Sequence, residues 1–290
     1  VDVTGDGKID ILSGSYSRME DSMAGLFQVL RGQEGGGFAA AEALMDKEGE
    51  PLILPSSVAE GDEHGDADLD RICTRPTAVD LNGDGLLDLV VGNFRGTFAW
   101  IKGSARGEFA ERVEWLSDAQ GKKLKVDAHS DPCMVDWDGD GDLDIVSGSA
   151  QGGVSWAKNV GSKQAPQFEA FAELLPAAGH AEARVSADDS HLVAPASSTR
   201  VWVDDIDGDG KLDLLIGDQV TLMTPAQGVS LEDARQAQAE YDRAIKAAGE
   251  AFSKAMTDGE TLAKEADMEA AQEAFQAAYQ AAQEARAPFI

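Results

Sequence analysis

The chain has 290 residues, 43% of them hydrophobic, and sets 53 Asp and Glu against 24 Lys and Arg for a formal net charge of −29. A surface of that sign repels polyanions, which argues against nucleic acid as a partner, and no apolar run reaches the ~18 residues that suggest a membrane span. Two cysteines, Cys73 and Cys133, are too few for a disulfide-built scaffold or a cysteine-rich zinc site; they either pair in an oxidising compartment or stay as two buried thiols.

The chain opens on VDVTGDGKIDILSG at 1–14, and the pattern returns without gaps as VDLNGDGLLDLVVG at 79–92, VDWDGDGDLDIVSG at 135–148 and DDIDGDGKLDLLIG at 204–217. Each Asp-rich loop runs into apolar residues that read as a strand. Next come GLFQVLRG at 25–32, GTFAWIKG at 96–103 and GGVSWAKNVG at 152–161, with apolar residues on alternate positions, then a glycine turn and Phe38, Phe109 or Phe168. A repeat is therefore strand, loop, strand, turn, strand, turn, strand. Four short antiparallel strands per repeat make the expected fold mainly β, a β-propeller of four-stranded blades with about four blades visible. Trp100, Trp137, Trp156 and Trp202 fall mostly at equivalent strand positions and are expected to pack between blades.

Between the first two loops, GDEHGDADLD at 61–70 reads as a solvated acidic loop, with a further cation site as the alternative. After the fourth loop, a strand at 220–223 is left waiting for a partner. Composition shifts after Pro225, which divides the chain into blades at 1–225 and an Ala-rich helical segment at 226–290. Apolar and Ala positions recur there every three or four residues. Ser230 is placed to cap the first helix, and Thr257-Asp258-Gly259 is expected to break it. The segment reads as an antiparallel helical hairpin inserted in the last blade, flanked by Phe252, Phe275 and Tyr279, or else as an arm that binds a partner or a second copy.

The loops carry the chemistry. A hard cation such as Ca²⁺ takes six to eight oxygen ligands in a flexible cage. Positions 1, 3 and 5 turn side-chain oxygens inward, position 7 supplies a backbone carbonyl, and position 9 closes the cage from the next strand. The glycines at positions 4 and 6 permit the positive φ that such a coil requires. The candidate ligands are Asp2, Thr4, Asp6, Lys8 and Asp10 in loop one, and Asp80, Asn82, Asp84, Leu86 and Asp88 in loop two. Loop three offers Asp136, Asp138, Asp140, Asp142 and Asp144, and loop four Asp205, Asp207, Asp209, Lys211 and Asp213. Lys8, Leu86, Asp142 and Lys211 act through their carbonyls. About four Ca²⁺ ions are expected, the weakest at loop one because of Thr4. An Asp-Gly hairpin turn accounts for one such loop, but not for the same ligand pattern four times. Position 12 holds Ser13, Val91, Ser147 and Ile216, not the bidentate Glu of an EF-hand.

With these residues in view, the repeats resemble the FG-GAP/VCBS family, the calcium-loop propeller blades also found in integrin α-subunit heads, over roughly residues 1–222. More narrowly, RICTRPTAVD, AHSDPCMVDWDGDGDLD and STRVWVDDIDGDGKLDLLIGD are similar to secreted FG-GAP proteins of planctomycete-type bacteria. The resemblance implies a propeller, calcium and an extracellular or periplasmic setting, and it implies no reaction. Because such propellers commonly have around seven blades, the chain reads as a fragment whose missing ends help close the ring.

Catalytic machinery is not expected. His64, His129, His180 and His191 share no zinc-ligand spacing. His129-Ser130-Asp131 invites a triad reading, but neighbours on a strand point to opposite faces. His129, Asp131 and Arg200 are instead candidates for a polar pocket where first strands begin. The expected function is a non-enzymatic calcium-binding scaffold that binds a protein or glycan outside the cytoplasm, with homo- or hetero-oligomers formed through the hairpin. Two alternatives are the propeller domain of a polysaccharide lyase or dehydratase-like enzyme and a structural component of the cell envelope. A lyase needs a cluster of Lys, Arg, Tyr or His on one face, and the chain has three tyrosines, two of them in the helical tail.

Overall fold

The computed structural model describes residues 1–16, 24–56, 67–178, 195–220, 224–264 and 280. The chain forms two compact units, Val1–Ala178 with Ala194–Val220, and Gly179–Val193 with Thr221–Ile290.

The first unit is built of antiparallel sheets that follow the repeats. Sheet one pairs β1 (Ile11–Ser13), β2 (Gln28–Leu30) and β3 (Glu42–Ala43). Sheet two is the meander β4 (Arg75–Val79), β5 (Asp88–Gly92), β6 (Phe98–Ala105) and β7 (Glu108–Trp115). Sheet three repeats it with β8 (Asp131–Val135), β9 (Asp144–Gly148), β10 (Val154–Ala157) and β11 (Ala172–Leu175), and sheet four pairs β12 (Ser197–Asp204) with β13 (Asp213–Gln219). Each Asp-rich loop leads into the second strand of its repeat, and in repeats two to four it joins the first strand to the second. The fold is thus mainly β, with four antiparallel sheets among the described residues.

The apolar runs are continuous because these strands are covered on both faces. Side chains alternate across a sheet, so Leu89 and Val91 pack against sheet one while Val90 packs toward sheet three. In β9 the same alternation sends Ile145 back to sheet two and Val146 forward to sheet four. Phe109 and Phe168 each pack on the sheet before their own. Full burial of such side chains contributes about 1.5–3 kcal/mol apiece.

Polar stitches accompany this packing. Thr74 and Ser130 each precede a first strand by one residue, and Thr199 holds the equivalent place at the start of β12. Each donates its backbone N–H to a carbonyl of the preceding repeat, Ser15, Asn93 or Ser149, at 2.8–3.0 Å. The same three hydroxyls accept N–H groups from Ser15, Asn93 and Ser149 at 2.6–2.8 Å. One seam therefore recurs three times.

Apolar side chains lie exposed at the first and last sheets. Ile11 is exposed on β1, with Ile9 and Phe38 exposed in the segments beside the sheet-one strands. Trp202 (60% exposed) stands opposite Leu215 (59%) on sheet four, beside exposed Ile206. Trp100, Trp137 and Trp156 pack between sheets as expected, whereas Trp202 does not. Cys73 and Cys133 are free and buried. The acidic stretch ends in a 3₁₀ turn at Ala67–Asp70, where Asp70 is fully buried and paired with Arg95 at 3.0 Å instead of solvated; residues 61–66 lie outside the described residues.

In the second unit, α1 spans Leu231–Lys264. Ser230 caps it, accepting the Asp233 N–H at 3.1 Å, and Glu232 and Asp233 suit the positive end of its dipole. The expected break at 257–259 is corrected: the helix runs straight through. Thr, Asp and Gly each cost at most about 1 kcal/mol against Ala in a helix, less than ending one helix and nucleating another among good formers. The expected return arm and the strand end at 221–223 lie outside the described residues, as do the side chains of Phe252, Phe275 and Tyr279.

Candidate metal centre

All four loops coil the same way. Both glycines of each are left-handed: Gly5 and Gly7, Gly83 and Gly85, Gly139 and Gly141, Gly208 and Gly210, with φ between 68° and 96°. The position-1 carboxylate spans the coil and accepts the position-6 N–H through Oδ2, at 2.9 Å in Asp2 and 3.0 Å in Asp80, Asp136 and Asp205. The position-5 carboxylate accepts the position-7 N–H through Oδ1, at 2.9–3.1 Å in Asp6, Asp84, Asp140 and Asp209. The position-1 turn thus fixes one oxygen and leaves the other to face the coil in loops one, three and four, whereas in loop two Asp80 Oδ1 accepts the Asp84 N–H at 3.0 Å.

Position 9 is a brace. Asp10, Asp88 and Asp144 are buried, and each ties its loop to the third strand of its own repeat. Oδ1 accepts the N–H of Gly32 (2.9 Å), Gly103 (2.7 Å) or Asn159 (2.7 Å). Oδ2 accepts an N–H at the loop's start, from Thr4, Leu81 or Trp137. Asp213 makes the second kind of contact, with Ile206 at 3.0 Å. Burial pushes the Asp88 and Asp144 carboxyls up. Burial also acts on Asp10, but the Gly32 and Thr4 hydrogen bonds outweigh it and hold that carboxyl below its ordinary range. The Trp100 and Trp156 indoles lean toward Asp88 and Asp144 and favour their charged forms, although neither Nε1 reaches a well-formed hydrogen bond.

Two observations test whether these residues fit a cation. First, the inner oxygens Asp2 Oδ1, Asp136 Oδ1 and Asp205 Oδ1 are buried without a hydrogen-bond partner, an arrangement that costs stability unless something positive meets them. Second, side-chain cations already lean on the loops. Lys158 Nζ bridges Asp138 and Asp140, 3.3 Å from the latter, Lys211 meets Asp209 at 2.7 Å, and Arg106 meets Asp2 at 3.0 Å. Asp138 and Asp140 in turn push the Lys158 ammonium up. Asp136, Asp138 and Asp140 converge to within 4.8 Å of one another, as do Asp205, Asp207 and Asp209. Thr4 and Asn82 leave loops one and two with two carboxylates at positions 1, 3 and 5. A hard cation fits this all-oxygen donor set. The side chains at positions 1, 3, 5 and 9 and the carbonyl at position 7 would hold it.

The family model of the FG-GAP-like repeat matches this chain twice. The matches cover residues 80–147 and 136–216, which supports the FG-GAP repeat family for that stretch. No curated protein matches the chain. Each matched FG-GAP-like repeat starts at a position-1 aspartate, Asp80 or Asp136, and ends on the strand after the following loop. The loop and the two stitched sheets around it therefore belong to one recurring element.

The braces Gly32, Gly103 and Asn159 and the competing Lys158 were not among the expected site residues. The signal for the braces was present in the Gly or Asn at the far end of each third-strand segment, Gly32, Gly103 and Asn159. Asp131 and Arg200 do meet at the first-strand entrances, with Arg75 as an additional member, and His129 lies within electrostatic reach of both guanidiniums. His64, His180 and His191 lie outside the described residues.

Proposed function

We propose that this chain is a calcium-loaded, propeller-like binding and scaffold module that works outside the cytoplasm and carries out no reaction of its own. The observation that carries the metal reading is the buried, partnerless position-1 oxygen in loops one, three and four. Carboxylates clustered on tight coils repel one another, and a divalent ion replaces that repulsion with attraction. Support for the propeller comes from the three identical seams and from the apolar side chains exposed at sheets one and four, each suited to another sheet of the same kind. FG-GAP repeats are typical of extracellular proteins, which supports the setting. The helix α1 is read as available for self-association or for a protein partner.

The test is calcium titration by calorimetry and by thermal melting of the full chain. About four ions per chain and a melting temperature that falls on chelation are expected. An identical melting curve in excess chelator, with metal loss verified by elemental analysis, would sink the structural role of calcium.

A further inference from the structure

The first strands of sheets two, three and four begin side by side, and each is entered through a left-handed residue that is not glycine: Cys73 (φ 52°), His129 (φ 52°) and Ser198 (φ 50°). Non-glycine residues rarely adopt this conformation. Two residues further on, this shared entry carries Arg75, Asp131 and Arg200 into one row.

Among the described residues the row is short of negative charge. Arg75 Nε lies 3.7 Å from Asp131 Oδ1, and Arg200 Nε lies 4.0 Å from Asp131 Oδ2. Both distances exceed hydrogen-bond length, so a single carboxylate is shared loosely by two guanidiniums. Other contacts do not use up their donors. Arg75 Nη1 reaches the Ser130 carbonyl at 3.5 Å, and Arg200 Nη1 reaches the Ser198 and Thr199 carbonyls at 3.2 and 2.8 Å. Nε and Nη2 of both side chains make no hydrogen bond among the described residues. Arg75 and Asp131 are half-buried, at 21% and 18% exposed, and Arg200 is 37% exposed, so a ligand from solvent can reach these donors. Burial lowers the Arg75 pKa, and repulsion from the Arg200 guanidinium adds to it. His129, ring to ring with Phe94 at 4.5 Å, takes up a proton less readily than an ordinary histidine, because burial and both guanidiniums hold its pKa down.

We infer that the entrances of β4, β8 and β12 form a seat for the carboxylate of a small acidic ligand, held by the Nε–Nη2 edges of Arg75 and Arg200 around Asp131. A guanidinium edge matches a planar carboxylate with two parallel hydrogen bonds. A monoanion suits the place better than a phosphate dianion, which is repelled about twice as strongly by a chain of net charge −29. The seat rests on this side-chain geometry and not on the metal reading.

The experiment is NMR of the arginine Nε–H groups in the full chain at saturating calcium and physiological salt, titrated separately with D-galacturonate, N-acetylglutamate and inorganic phosphate. Saturable shifts at Arg75 and Arg200 with the carboxylates, weaker with phosphate, are expected; the better of the two carboxylates tells a uronate source from a peptide-like one. Arg75→Gln or Arg200→Gln should weaken binding about tenfold or more, the equivalent of one charge-assisted hydrogen bond. Asp131→Asn should tighten it, because the competing carboxylate is gone. A merely structural ion triad predicts the reverse, with Asp131→Asn less stable and no better at binding. Where Arg75→Gln does not fold, the more exposed Arg200→Gln carries the same test. The inference is overturned if neither the native chain nor Asp131→Asn responds saturably up to roughly 50 mM probe, if phosphate binds best, or if the response survives both arginine substitutions. Repeating the titration after chelation keeps the two readings apart, since a folded chain without calcium should retain the seat.

Discussion

Gly92, at the end of β5, lies against the carbonyl of Ser130, so that a Cβ placed on it would fall inside the contact distance of that oxygen. Gly14 stands in the same relation to Thr74, and Gly148 to Thr199. These glycines are needed for closeness between neighbouring repeats, not for an unusual φ. Gly217 holds the equivalent place in the fourth repeat, and the nearest atom to its added Cβ is 4.0 Å away. Gly92→Ala and Gly148→Ala should each cost about 3 kcal/mol, as backbone clashes in a packed seam do. Gly217→Ala should be neutral or slightly stabilising. Urea denaturation of the three variants checks this, and equal costs would show that the seam does not dictate glycine.

Lys158 competes with any cation in loop three. Removing it frees Asp138 and Asp140, so Lys158→Gln should tighten calcium binding there by about two- to fivefold, the scale of one exposed ion pair. Calorimetry on the variant reads this directly. Unchanged affinity would mean that the ammonium swings aside at no cost.

Loop one should release calcium first on titration with a chelator, because Thr4 offers a neutral hydroxyl where Asp138 and Asp207 offer charge. Thr4→Asp should erase the difference. Site-resolved NMR during chelation shows the order, and simultaneous release from all loops would assign affinity to the backbone coil alone.

Asp70 is fully buried and accepts Arg95 Nε at 3.0 Å and the Thr97 hydroxyl at 3.2 Å. Removing one partner of a buried ion pair leaves the other uncompensated. Asp70→Asn should therefore lower stability by about 3 kcal/mol in urea denaturation, whereas a solvated acidic residue would lose almost nothing.

His129 gives stability a pH dependence. Burial and the two nearby guanidiniums lower its folded pKa, so the folded chain holds fewer protons than the unfolded chain. This contribution is complete above the ordinary histidine pKa of about 6.5 and is lost as pH falls below it. Melting at saturating calcium should show a steeper decline toward about pH 5.5 for the native chain than for His129→Asn. Asn tolerates the left-handed backbone there, which keeps the comparison clean. Parallel declines would place the proton elsewhere.

Much of the architecture was legible because its periods are local. The repeated D-x-(D/N/T)-G-D-G-x-x-D coil, the apolar strand after it and the alternating third strand all appear where the residues put them. Ser230 likewise announces the start of α1. The helix's passage through 257–259 was not legible, since a weak local breaker is outvoted by the turns on either side of it. Asp70 was misread as solvated because its partner Arg95 is 25 residues away in sequence.

The sequence by itself determined the four coils and the oxygen donors on them, because left-handed glycines and short carboxylates act within nine residues. Only the tertiary structure decided what those donors do besides face a cation. Position 9 became a brace because a third strand brings Gly32, Gly103 or Asn159 to it. Arg75, Asp131 and Arg200, spread over three repeats, became one site because identical seams stack their strand entrances. Contacts of that range depend on how sheets pack face to face, and a periodic sequence states which faces are apolar without stating which residues meet across them.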